Sequence, residues 1–356
     1  MKRIMVTGAG GAPSIGLTRS LKAATAPYRV IGIDADKYNI HRAISDEKYL
    51  VPKAREADYL PVLKSVIKET QPDLLCVQQS AEMLTISAAR DELGVKTFLP
   101  RHRTLEICED KFLSQQVWVK AGLPVPATVL VNNEADLKQA FDDLGRNLWI
   151  RATTGSAGRD ALPVDNFETA RDWIQGKNGW GRFTAAERLR PQSVTWQSIW
   201  KDGCLLVAQG RKRLYWEFSN RAPSGVTGVT GTGVTVSDPV VDEIARDAVL
   251  AIDQDPDGIF GVDLTYDEEG LPNLTEINCG RFFTTHQFFT NAGLNLPDIF
   301  VRAALGEELP TLPGKVNPLP EGLVWIRGMD VEPVLTDLDN VASLETELEQ
   351  RRGDLQ

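Results

Sequence analysis

Over roughly the first 105 residues, short apolar runs alternate with stretches of helical spacing, and this alternation restricts the chain to few folds. Residues 3–7 read as a strand, Gly8-Ala9-Gly10-Gly11 as a turn and residues 15–24 as a helix. A second strand at 28–33 ends in Asp34. Helical spacing follows at Leu60, Leu63, Val66 and Ile67, then a third strand at 73–77, a helix at 82–93 and a short fourth strand at 97–100. A β-α-β rhythm of this kind predicts a parallel sheet with helices on both faces.

The glycine turn precedes a helix, as in dinucleotide-binding folds, and Asp34 stands where a ribose-binding acid would. The third glycine of that fingerprint is out of place, and Pro13 lacks an N–H where a phosphate would need one. The expectation is a tight strand-to-helix turn without a ligand. Tyr49 to Lys53 matches a Tyr-x-x-x-Lys pattern, but Pro52 disfavours the helix that this pair requires.

Beyond that region, residues 111–121 suit a helix that ends at the junction Gly122-Leu123-Pro124-Val125-Pro126. Mixed α+β patterning runs to about 190. Residues 194–280 read mainly as strands with one helix at 240–252, and 295–305 is helical. The glycine- and threonine-rich stretch 224–235 reads as a mobile loop or a tight hairpin. The tail, 330–356, is acidic and reads as a short helix with a frayed end, peripheral to function.

The chain has 356 residues, enough for two or three packed domains. Its 39 Lys+Arg against 49 Asp+Glu argue against a nucleic-acid or membrane-surface partner and for small molecules. No apolar run approaches the ~20 residues of a membrane helix. Cys76, Cys108, Cys204 and Cys279 form no CxxC pair, so a cytoplasmic setting is expected. Three histidines make a histidine-rich metal site improbable.

The most informative segment is the carboxylate hairpin. Residues 261–266 and 271–278 read as strands around the turn Asp267-Glu268-Glu269-Gly270. Pairing Tyr266 with Leu271 sets Asp263 opposite Leu274. Alternation then directs Asp263, Glu276 and Asn278 to one face, with Val262, Leu264 and Ile277 on the other. Two carboxylates and an amide oxygen on rigid strands suit Mg2+ or Mn2+, whose remaining ligands are commonly phosphate oxygens and water. Such a site implies a nucleoside triphosphate.

These motifs resemble the ATP-grasp superfamily, in the branch with the carbamoyl-phosphate synthetase large subunit, biotin carboxylase and carboxylate–amine ligases. The metal hairpin of that family ends in Glu-x-Asn, commonly followed by Pro-Arg. Here it reads Glu276-Ile277-Asn278-Cys279-Gly280-Arg281, with the proline missing and the arginine one residue late. The helix that opens with Asp110-Lys111 and ends near Gly122, the strand ending in Arg151, and the loop Gly155-Ser156-Ala157-Gly158 follow in the family's order. The resemblance covers roughly residues 1–310.

It implies an α/β chain with a Rossmann-like pre-ATP-grasp domain at 1–107 and a two-lobed α+β ATP-grasp fold. The small lobe with its glycine-loop lid would span 108–188, the large lobe with the metal hairpin 189–310, and a C-terminal extension 311–356. It also implies ATP and Mg2+ as cofactors, with metal on Asp263, Glu276 and Asn278. Arg151 and the lid residues Gly155, Ser156, Ala157 and Gly158 would meet phosphates, and Lys111 would lie near the adenine. Glu187 and Leu189 would form the adenine-reading hinge, and Arg281 would neutralise the transferring phosphoryl group. A second glutamate expected on the ribose falls near Ser193, so that contact is lost or replaced. One of Arg211 and Arg213 would face the phosphates, and His286 is a candidate on the acceptor side.

The expected reaction joins a carboxylate, activated as an acyl phosphate, to an amine. Both partners would be small molecules, and a homodimer is in line with similar proteins. A bicarbonate-activating enzyme, a non-catalytic nucleotide-binding protein and an NAD(P)-binding Rossmann protein remain as alternatives.

Overall fold

The computed structural model describes residues 1–36, 38–155, 158–226, 229–328, 334–337 and 339. Three sheets occupy successive stretches of the chain. The first is parallel, in the order β3-β2-β1-β4, with β1 Lys2–Val6, β2 Tyr28–Asp34, β3 Glu47–Leu50 and β4 Leu74–Cys76. The expected fourth strand at 97–100 shrinks to a single bridge, Leu75 with Thr97. Pro100 has no N–H to extend it, and the Phe98 carbonyl packs against Gly258. The helix expected at 82–93 instead spans Ser80–Ala88. Arg90 turns back beyond it and donates to the carbonyls of Ser87 and Leu99 at 3.3 and 3.2 Å.

The second sheet is antiparallel, in the order β5-β8-β6-β7, with β5 Thr128–Val131, β6 Leu148–Ala152, β7 Ala161–Val164 and β8 Phe183–Glu187. The third has the order β13-β12-β9-β10-β11-β14-β15. Its strands are β9 Ser193–Lys201, β10 Cys204–Trp216, β11 Thr230–Val236, β12 Gly258–Tyr266, β13 Pro272–Cys279, β14 Leu323–Ile326 and β15 Val334–Asp337. Two sequence expectations change here. The second half of the glycine-threonine stretch is strand β11, between β10 and β14. Leu323–Ile326 and Val334–Asp337 add two strands to the large sheet, and the second falls in the stretch 330–356 that the sequence suggested was a peripheral tail; residues 340–356 lie outside the described residues.

Apolar packing explains how the sheets associate. Met5 and Ile31 of the parallel sheet share a core with Trp196 and Phe260 of the large sheet. A second shared core joins Val6 and Leu17 to Ile199 and Trp325. The 128–187 sheet buries Val131, Ile150, Ala170, Ile174 and Phe183 in a core of its own. It therefore packs as a separate lobe above the large sheet. Its helices are capped by Asn133 and Asn166, each accepting backbone N–H groups of the first turn. Among the described residues no helix is long and apolar enough to cross a membrane.

Candidate active site

The hairpin β12–β13 forms the floor of the site. Its register places Asp263 opposite Glu276 and Gly261 opposite Asn278. The expected pairing is corrected by one residue: Tyr266 pairs with Pro272, and the ladder slips between Asp263 and Leu264. The slip leaves Thr275 unpaired as a bulge, which frees its carbonyl from the ladder. That carbonyl accepts from the Arg151 guanidinium at 2.8 Å, and the Thr275 hydroxyl donates to Asp263 O at 3.0 Å. Asp263, Glu276 and Asn278 still share one face, while Val262, Leu264 and Ile277 are buried behind it.

Cations surround the two carboxylates. Lys111 Nζ lies 3.7 Å from Glu276 Oε1 and donates to the Gly155 carbonyl at 2.6 Å. The resemblance put Lys111 near the adenine; its ammonium instead bridges the glycine loop and a carboxylate of the hairpin. Asp110, its neighbour, caps the helix Lys111–Lys120 by accepting from the N–H groups of Phe112 and Leu113. Arg213 lies 3.5 Å from Asp263 Oδ1. Arg281 donates to Asn278 Oδ1, and Asn278 Nδ2 donates to Asp263 Oδ2 at 3.4 Å. Arg281 thus reaches the face of Asp263 and Asn278 despite the missing proline.

Arg151 ends β6 and hangs over the same face. Its Nε is buried without a hydrogen-bond partner among the described residues. Burial pulls its pKa down and Glu276 pulls it back up. Arg211 and Arg213, two apart on β10, point to one side of the sheet. Only Arg213 faces open space, with its guanidinium 3.6 Å from the centre of the Trp216 ring. Arg211 is fully buried, and burial followed by repulsion from Arg213 pulls its pKa down to about 9. Lys212 points the other way, over Tyr266.

Between the separate lobe and the large sheet runs a cleft of about 660 Å³. Asp263, Glu276 and Arg213 line one wall, Arg151 and Lys111 another, and Glu187 and Leu189 stand at the connection between the lobes. Gly155 and Gly158 lie along its rim, at φ +105° and +65°. A Cβ on Gly158 would meet the Val226 carbonyl at 2.4 Å, so glycine is required there. Ser224 donates to the Gly158 carbonyl at 3.1 Å, tying the β10–β11 connection to the glycine loop. Ser156 and Ala157 lie outside the described residues. Ser193, at the position of the missing ribose glutamate, also lines the cleft and accepts from Arg213 at 2.9 Å.

Two sequence candidates lie elsewhere. His286 is fully buried against Gly16 of the helix Ala12–Lys22, and its Nδ1 lies 2.7 Å from the Phe283 carbonyl. It lines neither the cleft nor the smaller cavity beside Glu109, and burial pushes its pKa down to about 4. An acceptor-side role for it is therefore set aside. At the first glycine turn, Asp34 accepts from Gly10 N at 3.0 Å and Asp36 N at 2.9 Å. A Cβ on Gly10 would meet the Asn39 carbonyl at 1.8 Å, and the Gln79 side chain covers Gly8. The turn is filled by the protein itself, as the tight-turn reading expected. Tyr49 belongs to β3, which removes the Tyr-x-x-x-Lys pair.

Sequence reasoning missed Thr195 of β9. Its hydroxyl donates to Asp263 Oδ1 at 2.5 Å and accepts from Arg211 and Arg213 at 3.0 and 3.3 Å. Nothing in the local sequence marks it, because β9 and β12 are some 60 residues apart and meet only in the sheet.

Among the described residues, no three His, Cys, Asp or Glu side chains gather as a metal site. The hairpin set reaches three oxygen donors only through the amide of Asn278. Two half-buried carboxylates open to a cleft lined with cations, with the Asn278 amide beside them, form a hard-oxygen donor set that fits magnesium bound with a polyphosphate.

No family model matches the chain. In sequence it is 30% identical to the carbamoyl phosphate synthase large chain of Thermotoga petrophila over 192 residues, 49% of this chain. The chain spans 17% of the length of that relative. In structure it resembles N5-carboxyaminoimidazole synthetase from Staphylococcus aureus complexed with ADP, with a TM-score of 0.70 at 16% identity over 92% of this chain and 82% of that one. It also resembles an L-amino acid ligase from Bacillus licheniformis, with a TM-score of 0.67 at 13% identity over 91% and 79% of the two chains. In fold the chain is therefore similar to these two enzymes along most of its length, and in sequence to part of a carbamoyl phosphate synthase large chain over about half of it.

Proposed function

We propose that this chain is an ATP- and magnesium-dependent ligase that activates a carboxylate as an acyl phosphate and joins it to an amine. One observation carries the reading: Asp263 and Glu276 line one wall of a nucleotide-sized cleft with Lys111, Arg151 and Arg213 around them, and Asn278, bonded to Asp263 and Arg281, stands beside them at the adjoining smaller cavity. Cations outnumber carboxylates there, which suits a polyphosphate and a second anion. Magnesium, held by Asp263, Glu276 and Asn278, would screen charge between triphosphate oxygens.

The residues themselves do the positioning. Glu187, Leu189 and the adjoining backbone would read the adenine edge, and Ser193 would stand near the ribose. Gly155 to Gly158 would cover the phosphates, with Arg151 and Lys111 gripping them from the small-lobe side. Arg281 and Arg213 would hold the substrate carboxylate against the terminal phosphate and spread the charge that develops as the phosphoryl group moves. The limits 1–107, 108–188 and 189–310 serve as the working domain assignment, with Leu323–Ile326 and Val334–Asp337 counted in the large lobe because they extend its sheet.

A second reading, with bicarbonate as the carboxylate, draws on the kinship with a carbamoyl phosphate synthase. One assay addresses both. ADP release is followed with magnesium-ATP and a panel of amino acids, dipeptides and bicarbonate, and acyl phosphate is trapped with hydroxylamine. ADP release that requires a carboxylate, together with hydroxamate formation, is expected. Tight NADH binding without ATP binding would overturn the proposal.

A further inference from the structure

A smaller cavity, of about 20 Å³, lies beside Glu276 and Asn278, between the helices Ser80–Ala88 and His102–Glu109 and strand β13. It meets the large cleft at Lys111, Gly155 and Glu276. Asn278, Arg281 and Glu109 line it together with the apolar side chains of Met83, Leu84 and Leu105. A space of about 10–15 Å³ holds one water-sized group, so this cavity admits one or two small groups and no ring.

Glu109 is the unexplained group here. Among the described residues, nothing hydrogen-bonds its carboxylate and no cation lies within ion-pair distance. The neighbouring cations have partners already: Lys111 bridges Gly155 and Glu276, and Arg281 donates to Asn278. Burial raises the Glu109 pKa, Lys111 and Arg281 lower it, and Glu276 raises it again. The other titratable groups on the walls are the thiols of Cys108 and Cys279. A partly buried carboxyl that no cation pairs with among the described residues is placed to accept a proton from a small group in the cavity.

We propose that this cavity receives the ammonium end of the attacking amine, either ammonia itself or a primary amine, and that Glu109 takes its proton. The inference rests on the ligase reading above. The ammonium gives one proton to the Glu109 carboxylate and becomes a neutral amine. Its lone pair attacks the acyl carbon, forming the C–N bond. The C–O bond to phosphate breaks, phosphate leaves with the electron pair, and the second nitrogen proton passes to it. Placement fits, because the cavity opens on the face where Glu276 and Asn278 would meet the acyl phosphate.

Hydroxylamine, uncharged at neutral pH, needs no base, whereas methylamine is protonated and does. Glu109→Gln is compared with wild type using both nucleophiles and the amino-acid panel. The ratio of methylamine to hydroxylamine turnover at pH 7 is expected to fall about 100-fold. It should recover as pH rises, since the free amine fraction grows tenfold per pH unit. Ser80→Phe, which fills the cavity, should raise the methylamine KM, and a parallel series with ammonium chloride separates ammonia from primary amines as the source. An unchanged ratio and pH profile in Glu109→Gln, with an unchanged methylamine KM in Ser80→Phe, would overturn the pocket assignment while wild-type hydroxamate formation left the ligase reading standing. Absence of hydroxamate in wild type would overturn both.

Discussion

Thr195 donates its hydroxyl proton to Asp263 Oδ1 at 2.5 Å while accepting from Arg211 and Arg213 at 3.0 and 3.3 Å. A hydroxyl has one proton and two lone pairs, so Thr195 is fully committed. The contact couples a buried guanidinium to a carboxylate of the candidate metal set and fixes the orientation of that carboxylate.

Replacing Thr195 with valine keeps the shape and removes the coupling. Partners that orient metal ligands are typically worth 10–100-fold in metal affinity, so Thr195→Val is expected to raise the magnesium concentration for half-maximal activity by about tenfold. Leaving Arg211 short of a partner should also cost about 1–3 kcal/mol of stability. Magnesium titrations and urea unfolding check the two effects, and Thr195→Ser should restore most of both.

The glycine loop meets the β10–β11 connection where Gly158, at φ +65°, faces the Val226 carbonyl. Gly158→Ala introduces both a strained backbone and a steric clash. It is expected to raise the KM for ATP more than it lowers the melting temperature, because the clash is confined to the rim of the cleft. Steady-state kinetics beside a thermal melt separates these effects.

His286 gives a pH dependence of stability with a definite sign. Its pKa falls from 6.5 to about 4 because burial disfavours the charged ring. Below 6.5 the unfolded chain binds a proton that the folded chain refuses. The stabilisation from neutral His286 is therefore complete above pH 6.5 and is lost as pH falls toward about 4. Urea midpoints of wild type and His286→Leu, measured between pH 7 and pH 4 across the window of this shift, should show a shallower decline in the variant.

Much of this site was legible in the sequence because strand alternation is a local rule. Asp263, Glu276 and Asn278 fall on one face in either register, which is why the metal set survives the one-residue correction at Thr275. The bulge was not legible, since it depends on Arg151 from another lobe engaging the freed carbonyl. Thr195 was hidden for the same reason: its role arises from pairing between distant strands. Lys111 opens a helix at the surface of its own segment, and only tertiary packing brings it to Glu276. Leu323–Ile326 and Val334–Asp337 carry little pattern of their own and become strands by pairing, the first with β11 and the second with the first.

The central claim is that Asp263, Glu276 and Asn278 hold a divalent cation beside bound nucleotide. Its most direct test is a manganese titration by electron paramagnetic resonance, with a non-hydrolysable ATP analogue present, on wild type and Glu276→Gln. Nucleotide-dependent manganese binding that weakens about tenfold or more in the variant is the expected result. Equal binding in both proteins would contradict the account.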